Sequence, residues 1–188
     1  MNNRTAQFET IHRMPASAES FVTFWSDLYS YPNAELYELN IRQPLTEERV
    51  WALYKWKNGG DISAKKRQSV ASIYVRALND GPPELRTITD GRRYLSTIAG
   101  GGIWGIFWLH CINPDLFPIF DQHTYRAMAK LSVLEPKEIP ADRDAKLAAY
   151  FDQYMVFVSD SFHRAELTSV DRALFTYGRF LKSQYFRA

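Results

Sequence analysis

At 188 residues, with 46% hydrophobic and 15% aromatic residues, the chain can bury a sizeable core, which excludes a disordered polymer. Twenty-three basic against twenty-one acidic residues leave a formal net charge of +2, so no overall basic footprint exists and any phosphate contact must be local. One cysteine, Cys111, excludes an internal disulfide and a CxxC zinc site, and it implies no disulfide-linked partner.

The first residues, Met-Asn-Asn-Arg-Thr, are polar and do not read as a signal peptide. The longest apolar stretch, 103–112, is half of the ~20 residues that a membrane span requires. The expectation is a cytoplasmic protein with no membrane partner.

In chain order the pattern is helical throughout. From Ser20 to Tyr29, the residues Phe21, Phe24, Trp25, Leu28 and Tyr29 fall on one face of an amphipathic helix, which Tyr31-Pro32-Asn33 stops. Residues 40–44 read as a linker. Thr46 then caps a helix with Glu47 and Glu48 in its first turn and Lys55 and Lys57 in its last, ended by Asn58-Gly59-Gly60. Its apolar face is Val50, Leu53, Tyr54 and the stem of Lys57.

Ser63 opens the next helix, which carries Lys65, Lys66 and Arg67 before Val70, Ile73, Tyr74, Ala77 and Leu78. Asn79-Asp80-Gly81-Pro82-Pro83 breaks it. A helix over 90–98 runs into Gly100-Gly101-Gly102, and 103–112 is apolar nearly all round, the mark of a central buried helix. Further helices are predicted over 121–131, over 142–158 with Leu147, Tyr150, Phe151, Tyr154 and Val158 on one stripe, and from Thr168 through Leu181. No six-residue stretch alternates with period two. The class is all-α, one compact helical domain over 1–188, with two lobes, 1–81 and 82–188, and a cleft between them as the alternative arrangement.

Two features carry chemistry. The glycine cluster lets backbone N–H groups at a helix start approach an anion, since no Cβ intervenes and the helix dipole favours negative charge. Asp121 follows twenty-one residues after Gly100, where a second helix begins. Gly100, Gly102 and Gly105 also spell G-x-G-x-x-G, but a dinucleotide fold would need a buried strand before them, and Arg92-Arg93-Tyr94-Leu95-Ser96-Thr97-Ile98 is too polar for one.

Gly100-Gly101-Gly102-Ile103-Trp104, the apolar helix and Pro118-Ile119-Phe120-Asp121-Gln122-His123-Thr124-Tyr125-Arg126 together resemble the helix-hairpin-helix DNA glycosylase superfamily over about thirty residues. The spacing between Trp104 and Asp121 is a few residues shorter than the family's usual one, and one extra residue separates Pro118 from Asp121. The resemblance implies that Asp121 is the catalytic acid and that Gly100, Gly101 and Gly102 form the hairpin that grips a DNA phosphate. Trp104 falls where bifunctional members keep a lyase lysine, which implies a monofunctional enzyme without a Schiff base at that position.

Cleaving an N-glycosidic bond passes through an oxocarbenium-like sugar, which a carboxylate stabilises, while the expelled base stacks on aromatic side chains. Trp104, Trp108, Phe120 and Tyr125 are the expected base pocket, and Lys65, Lys66, Arg67, Arg92 and Arg93 the expected outer phosphate contacts. DNA is the expected partner, with no cofactor and no metal. His110 and His123 lie thirteen residues apart without an obvious third ligand.

Each of these residues also has a structural reading. Asp121 is a good N-cap, the glycines allow close helix packing, Trp104 and Trp108 suit a core, and Lys65–Arg67 suit a solvated face. His123 reads as a proton-transfer assistant or a surface histidine. Asp115 sits in a turn, and Cys111 reads as a small buried hydrophobe.

Overall fold

The computed structural model describes residues 17–132 and 137–185, and within them eleven α-helices and two π-helical segments account for the regular structure. Helix α1 is Ala18–Asp27, α2 Ala34–Glu38 and α3 Glu47–Lys57. The next helix is continuous: α4 Ala64–Ser69 passes through a π-helical segment, Val70–Val75, into α5 Arg76–Asn79. Then come α6 Ile88–Thr97, α7 Gly102–Ile112 and α8 Gln122–Leu131. A second continuous run joins α9 Arg143–Ala148, the π-helical segment Ala149–Tyr154 and α10 Met155–Phe162, and α11 is Leu167–Tyr185. With 67% helix and no strand among the described residues, the dinucleotide reading has no sheet on which to rest.

The chain starts these helices where local chemistry favours it. Thr46 accepts a hydrogen bond from the Arg49 N–H at 3.4 Å, Thr87 caps α6 in a reciprocal capping box with Asp90, and Asp142 accepts from the Ala145 N–H at 2.9 Å. The last helix is opened by Glu166 rather than Thr168, its carboxylate accepting the backbone N–H groups of Thr168 and Ser169 at 3.0 and 2.7 Å. The first helix lies two residues earlier than the periodicity suggests, and α2 falls in a stretch read as a stop and a linker.

Two hydrophobic cores meet at α7. Ile106 and Leu109 join a core built from α1, α6, α8, α10 and α11, while Phe107, Trp108 and Cys111 join a second core with Val50, Leu53, Tyr54, Val70 and Tyr74. That double burial explains why α7 is apolar on every side. Helix α1 packs on α11 and α10, and a cleft lies between residues 29–57 and 119–175. No described helix is long and apolar enough to cross a membrane.

Two contacts place the start of α8. Gly178, in the middle of α11, lies so close to the α8 backbone that a Cβ there would come within 2.0 Å of the His123 carbonyl oxygen. Asp171, two turns earlier on α11, accepts the Ile119 N–H at 2.9 Å and so fixes the stretch of loop that delivers Asp121.

Candidate active site at the start of helix α8

Asp121 occupies the N-cap position of α8. Its Oδ1 accepts the backbone N–H groups of His123 and Thr124 at 2.8 and 3.1 Å, and Thr124 Oγ1 accepts the Asp121 N–H in return. Its Oδ2 is left for another partner, and Lys57 Nζ, from the last residue of α3, donates to it at 3.4 Å. Burial pushes the Asp121 carboxyl up, but Lys57, His123 and the two backbone N–H groups outweigh that and leave it below the usual carboxylate range. The group is an anion at neutral pH. Lys57 itself is buried, its side chain only 7% exposed, with Nζ 5.5 Å from the centre of the Phe107 ring.

Asp121 and Lys57 form one end of a cleft walled by aromatic rings. Tyr29 and Tyr31 from the α1–α2 connection, Tyr37 from α2, Trp56 from α3 and Phe175 from α11 line it. The rings brace one another: Tyr37 and Trp56 have centroids 4.4 Å apart, Tyr31 and Trp56 5.2 Å, and Tyr31 and Phe175 5.4 Å. The space between side chains amounts to about 520 Å³ out to the mouth, and little of it is wide enough for a water molecule. The cleft is therefore a slot rather than a bowl.

Buried polar groups lie behind the slot's lining. His110 Nδ1 lies 2.7 Å from the Phe117 carbonyl oxygen, which can only accept, so Nδ1 carries the proton and Nε2 accepts from the Tyr37 hydroxyl at 2.8 Å. Burial lowers the His110 pKa to about 3, which keeps the ring neutral. Asp171 is 4% exposed, and burial pushes its carboxyl well above the usual range despite the N–H that it accepts from Ile119. Its second oxygen, Oδ1, has no hydrogen-bond partner, and neither has the indole Nε1 of Trp56.

The expected base-pocket residues lie elsewhere. Trp108 is fully buried in the second core, its indole N–H donating to the Tyr94 hydroxyl at 3.1 Å. Phe120 is buried among Tyr125, Tyr150 and Tyr154 in the first core. Tyr125 is 7% exposed beside it. Trp104 is partly buried against Tyr54, with Lys66 Nζ 5.4 Å above its ring. None of the four lines the cleft at Asp121.

The glycine turn does join two helices, α6 and α7, through residues 98–101. Gly100 has φ +122°, which favours glycine, and its carbonyl accepts from Arg143 Nε at 3.0 Å. Arg143 also takes the Leu95 and Ile98 carbonyls at the end of α6. Gly102 packs against Lys146, whose Cβ would lie 3.0 Å from an added methyl, whereas Gly101 has open space around it.

Of the basic residues, Lys65 and Arg67 are exposed, and Lys66 donates to Asn58 Oδ1 at 2.7 Å. Arg92 pairs with Asp152, and Arg93 is exposed. No group of three or more His, Cys, Asp or Glu among the described residues could hold a metal ion.

Comparison of the chain with known protein families, curated proteins and solved structures finds no match. The site's own chemistry must carry the argument.

Sequence reasoning singled out Asp121 and missed the residues around it. Lys57 was legible only as a last-turn base and an apolar stem. Tyr37 sits on a five-residue helix too short to show periodicity, and Asp171 reads as one polar residue on the last helix.

Proposed function

We propose that this protein is a DNA-glycosylase-like hydrolase that cleaves the N-glycosidic bond of one base, with the Asp121 carboxylate as the catalytic group. The observation that carries the reading is an ionised carboxylate, rigidly held by two backbone N–H groups and Lys57, at the end of a narrow aromatic slot. As the bond to the base lengthens, positive charge grows on the sugar, and a fixed anion beside it stabilises that charge without reorganisation. The leaving base lies between aromatic walls. Tyr31, Trp56 and Phe175 take the stacking role first expected of Trp104, Trp108, Phe120 and Tyr125.

Lys57 keeps Asp121 ionised. Lys57 Nζ is held against the Asp121 carboxylate and Trp104 stands where a lyase lysine would, so the reading remains hydrolysis by water rather than Schiff-base chemistry. On this reading the 98–101 turn, where Gly101 offers open backbone, grips a DNA phosphate, with Lys65, Lys66, Arg67, Arg92 and Arg93 as outer phosphate contacts. No cofactor is required.

A panel of oligonucleotides bearing uracil, 8-oxoguanine, alkylated purines or deoxyinosine tests the proposal. The wild-type protein should release one of these bases. Asp121→Asn should reduce the rate by about a hundredfold or more while keeping the fold, because asparagine is an equally good N-cap. Borohydride should trap no covalent adduct, and an adduct at Lys57 would replace hydrolysis with a lyase step.

One observation favours a second reading: Asp121 completes a full capping box, so its carboxylate also has a purely structural task. On that reading the same scaffold grips nucleic acid or a protein without cleaving it. Full activity of Asp121→Asn, or no release from any substrate, would favour it.

A further inference from the structure

Helix α11 carries a stripe of side chains that hydrolysis at Asp121 leaves unused. Arg172, Phe175, Arg179 and Lys182 are spaced by three, four and three residues, so all four lie on one side of the helix. Phe175 and Arg172 both line the slot. The Arg172 guanidinium lies 5.4 Å from the centre of the Tyr29 ring, and that of Arg179 lies 5.7 Å from the centre of the Phe175 ring. One cation thus stands on each side of Phe175, the two about 10 Å apart along the helix axis. Lys182 is exposed one turn beyond Arg179.

No acid of α11 opposes the stripe in solvent. The one acid in that helix, Asp171, is buried. Among the described residues, Arg172 donates a single hydrogen bond, to Glu38 Oε1 at 2.9 Å, and Arg179 a single one, to the Ser30 carbonyl oxygen at 2.9 Å. A guanidinium has five N–H groups, so most of their donors are left over. The side chains of Arg172 and Glu38 are 36% and 54% exposed, and an ion pair so open to water holds weakly.

We propose that this stripe is the surface that grips a DNA backbone, with Arg172 and Arg179 on the phosphates either side of the nucleotide that enters the slot. The proposal rests on the reading of the slot as the base pocket and supplies its principal phosphate contacts. A guanidinium meets two phosphate oxygens with parallel N–H donors, which suits arginine at the two positions beside the slot. A base entering between two phosphates also accounts for the order cation, ring, cation. Glu38 yields Arg172 to the polyanion, because counterions released from DNA drive the exchange. The other candidate contacts, Lys65, Lys66 and Arg67 on α4 and Arg92 and Arg93 on α6, do not line the slot.

Fluorescence anisotropy of the whole chain with a labelled DNA duplex, repeated over a range of salt, tests this. The triple variant Arg172→Gln, Arg179→Gln, Lys182→Gln should bind at least about tenfold more weakly at low salt. Its plot of log affinity against log salt should be flatter by about 2–3 in slope, the change expected for three lost phosphate contacts. A second triple variant, Lys65→Gln, Arg67→Gln, Arg93→Gln, removes the same charge from elsewhere and should lose less than about threefold. Circular dichroism checks each fold. Arg179→Gln with Lys182→Gln, flatter by about 2, carries the test should loss of the Glu38 pair disturb the wall.

An equal or larger loss in the second triple variant would overturn the proposal, as would a wild type that binds no DNA. So would equally tight binding of polyglutamate, since the stripe would then take any polyanion. The base-release panel keeps the two readings apart. Weakened binding by the stripe variant, with no base released by the wild type, would leave the DNA-gripping surface standing and remove the glycosidase. Asp121-dependent release by the stripe variant at unchanged KM would do the reverse.

Discussion

Asp171 is an acid that folding pushes into a place unsuited to its charge, and the consequence can be measured. Its folded pKa is raised by burial, so the folded state holds a proton that the unfolded state releases above the ordinary carboxylate range near pH 4. Stability relative to a variant without that acid must therefore fall as pH rises from about 4 toward the raised folded value. Asp171→Asn should match the wild type in thermal unfolding at about pH 3.5 and exceed it at about pH 7. A gap that stays constant across this range would mean that Asp171 is ionised in the folded protein. Asp121 is the opposite case, lowered by Lys57 and backbone N–H groups once burial is outweighed, and its interactions are lost as pH falls. Two carboxyls at one slot thus have different protonation states at neutral pH, one anion and one neutral acid. Only the anion was legible in the sequence, because a helix cap is a local signal. Lys57 lies 64 residues from Asp121, and no local pattern announces such a pairing.

At the scale of elements, the helices that the sequence announced are those with caps and long apolar stripes. Thr46, Thr87, Asp121 and Asp142 each accept a first-turn N–H, and the helices that they begin start within two residues of the predicted positions. Helix α2 was missed because it is five residues long and follows Asn33, whose φ of +54° reads as a turn. The two π-helical segments, Val70–Val75 and Ala149–Tyr154, leave no sequence signature, since one turn of π-helix shifts the apolar register too little to stand out. Gly178 did carry a signal. A glycine inside an otherwise amphipathic helix is unfavourable by itself and so points to a close approach. Here the approaching group is the His123 carbonyl, which sets α8 and Asp121 against α11. Gly178→Ala would place a Cβ against backbone that cannot step aside, and it should remove about 2–3 kcal/mol of stability in chemical denaturation. A loss below about 0.5 kcal/mol would mean that α8 can shift freely.

For the molecule as a whole, the organising feature is α7, buried between two cores, with the slot opening where the second core meets α11. His110 on α7 ties this junction together by bonding the Phe117 carbonyl on one side and the Tyr37 hydroxyl on the other. The all-α class could be read from periodicity. The wall of the slot could not. Trp104 and Trp108 attracted attention as aromatic residues near a glycine turn, yet packing sends Trp108 into the core and gives the wall to Tyr31, Trp56 and Phe175, which are distant from one another in sequence.

That contrast provides the most direct test of the proposed active site. The indole N–H resonances of the folded chain should be followed by NMR as a DNA duplex carrying a pyrrolidine in place of one nucleoside is added, because a cationic sugar mimic seeks the carboxylate that the proposed hydrolysis sets beside the sugar. The expected result is a shift of the Trp56 resonance at saturation with Trp108 unmoved. A shift of Trp108 with Trp56 unmoved, or no shift of either, would contradict an active site at Asp121 and the aromatic slot.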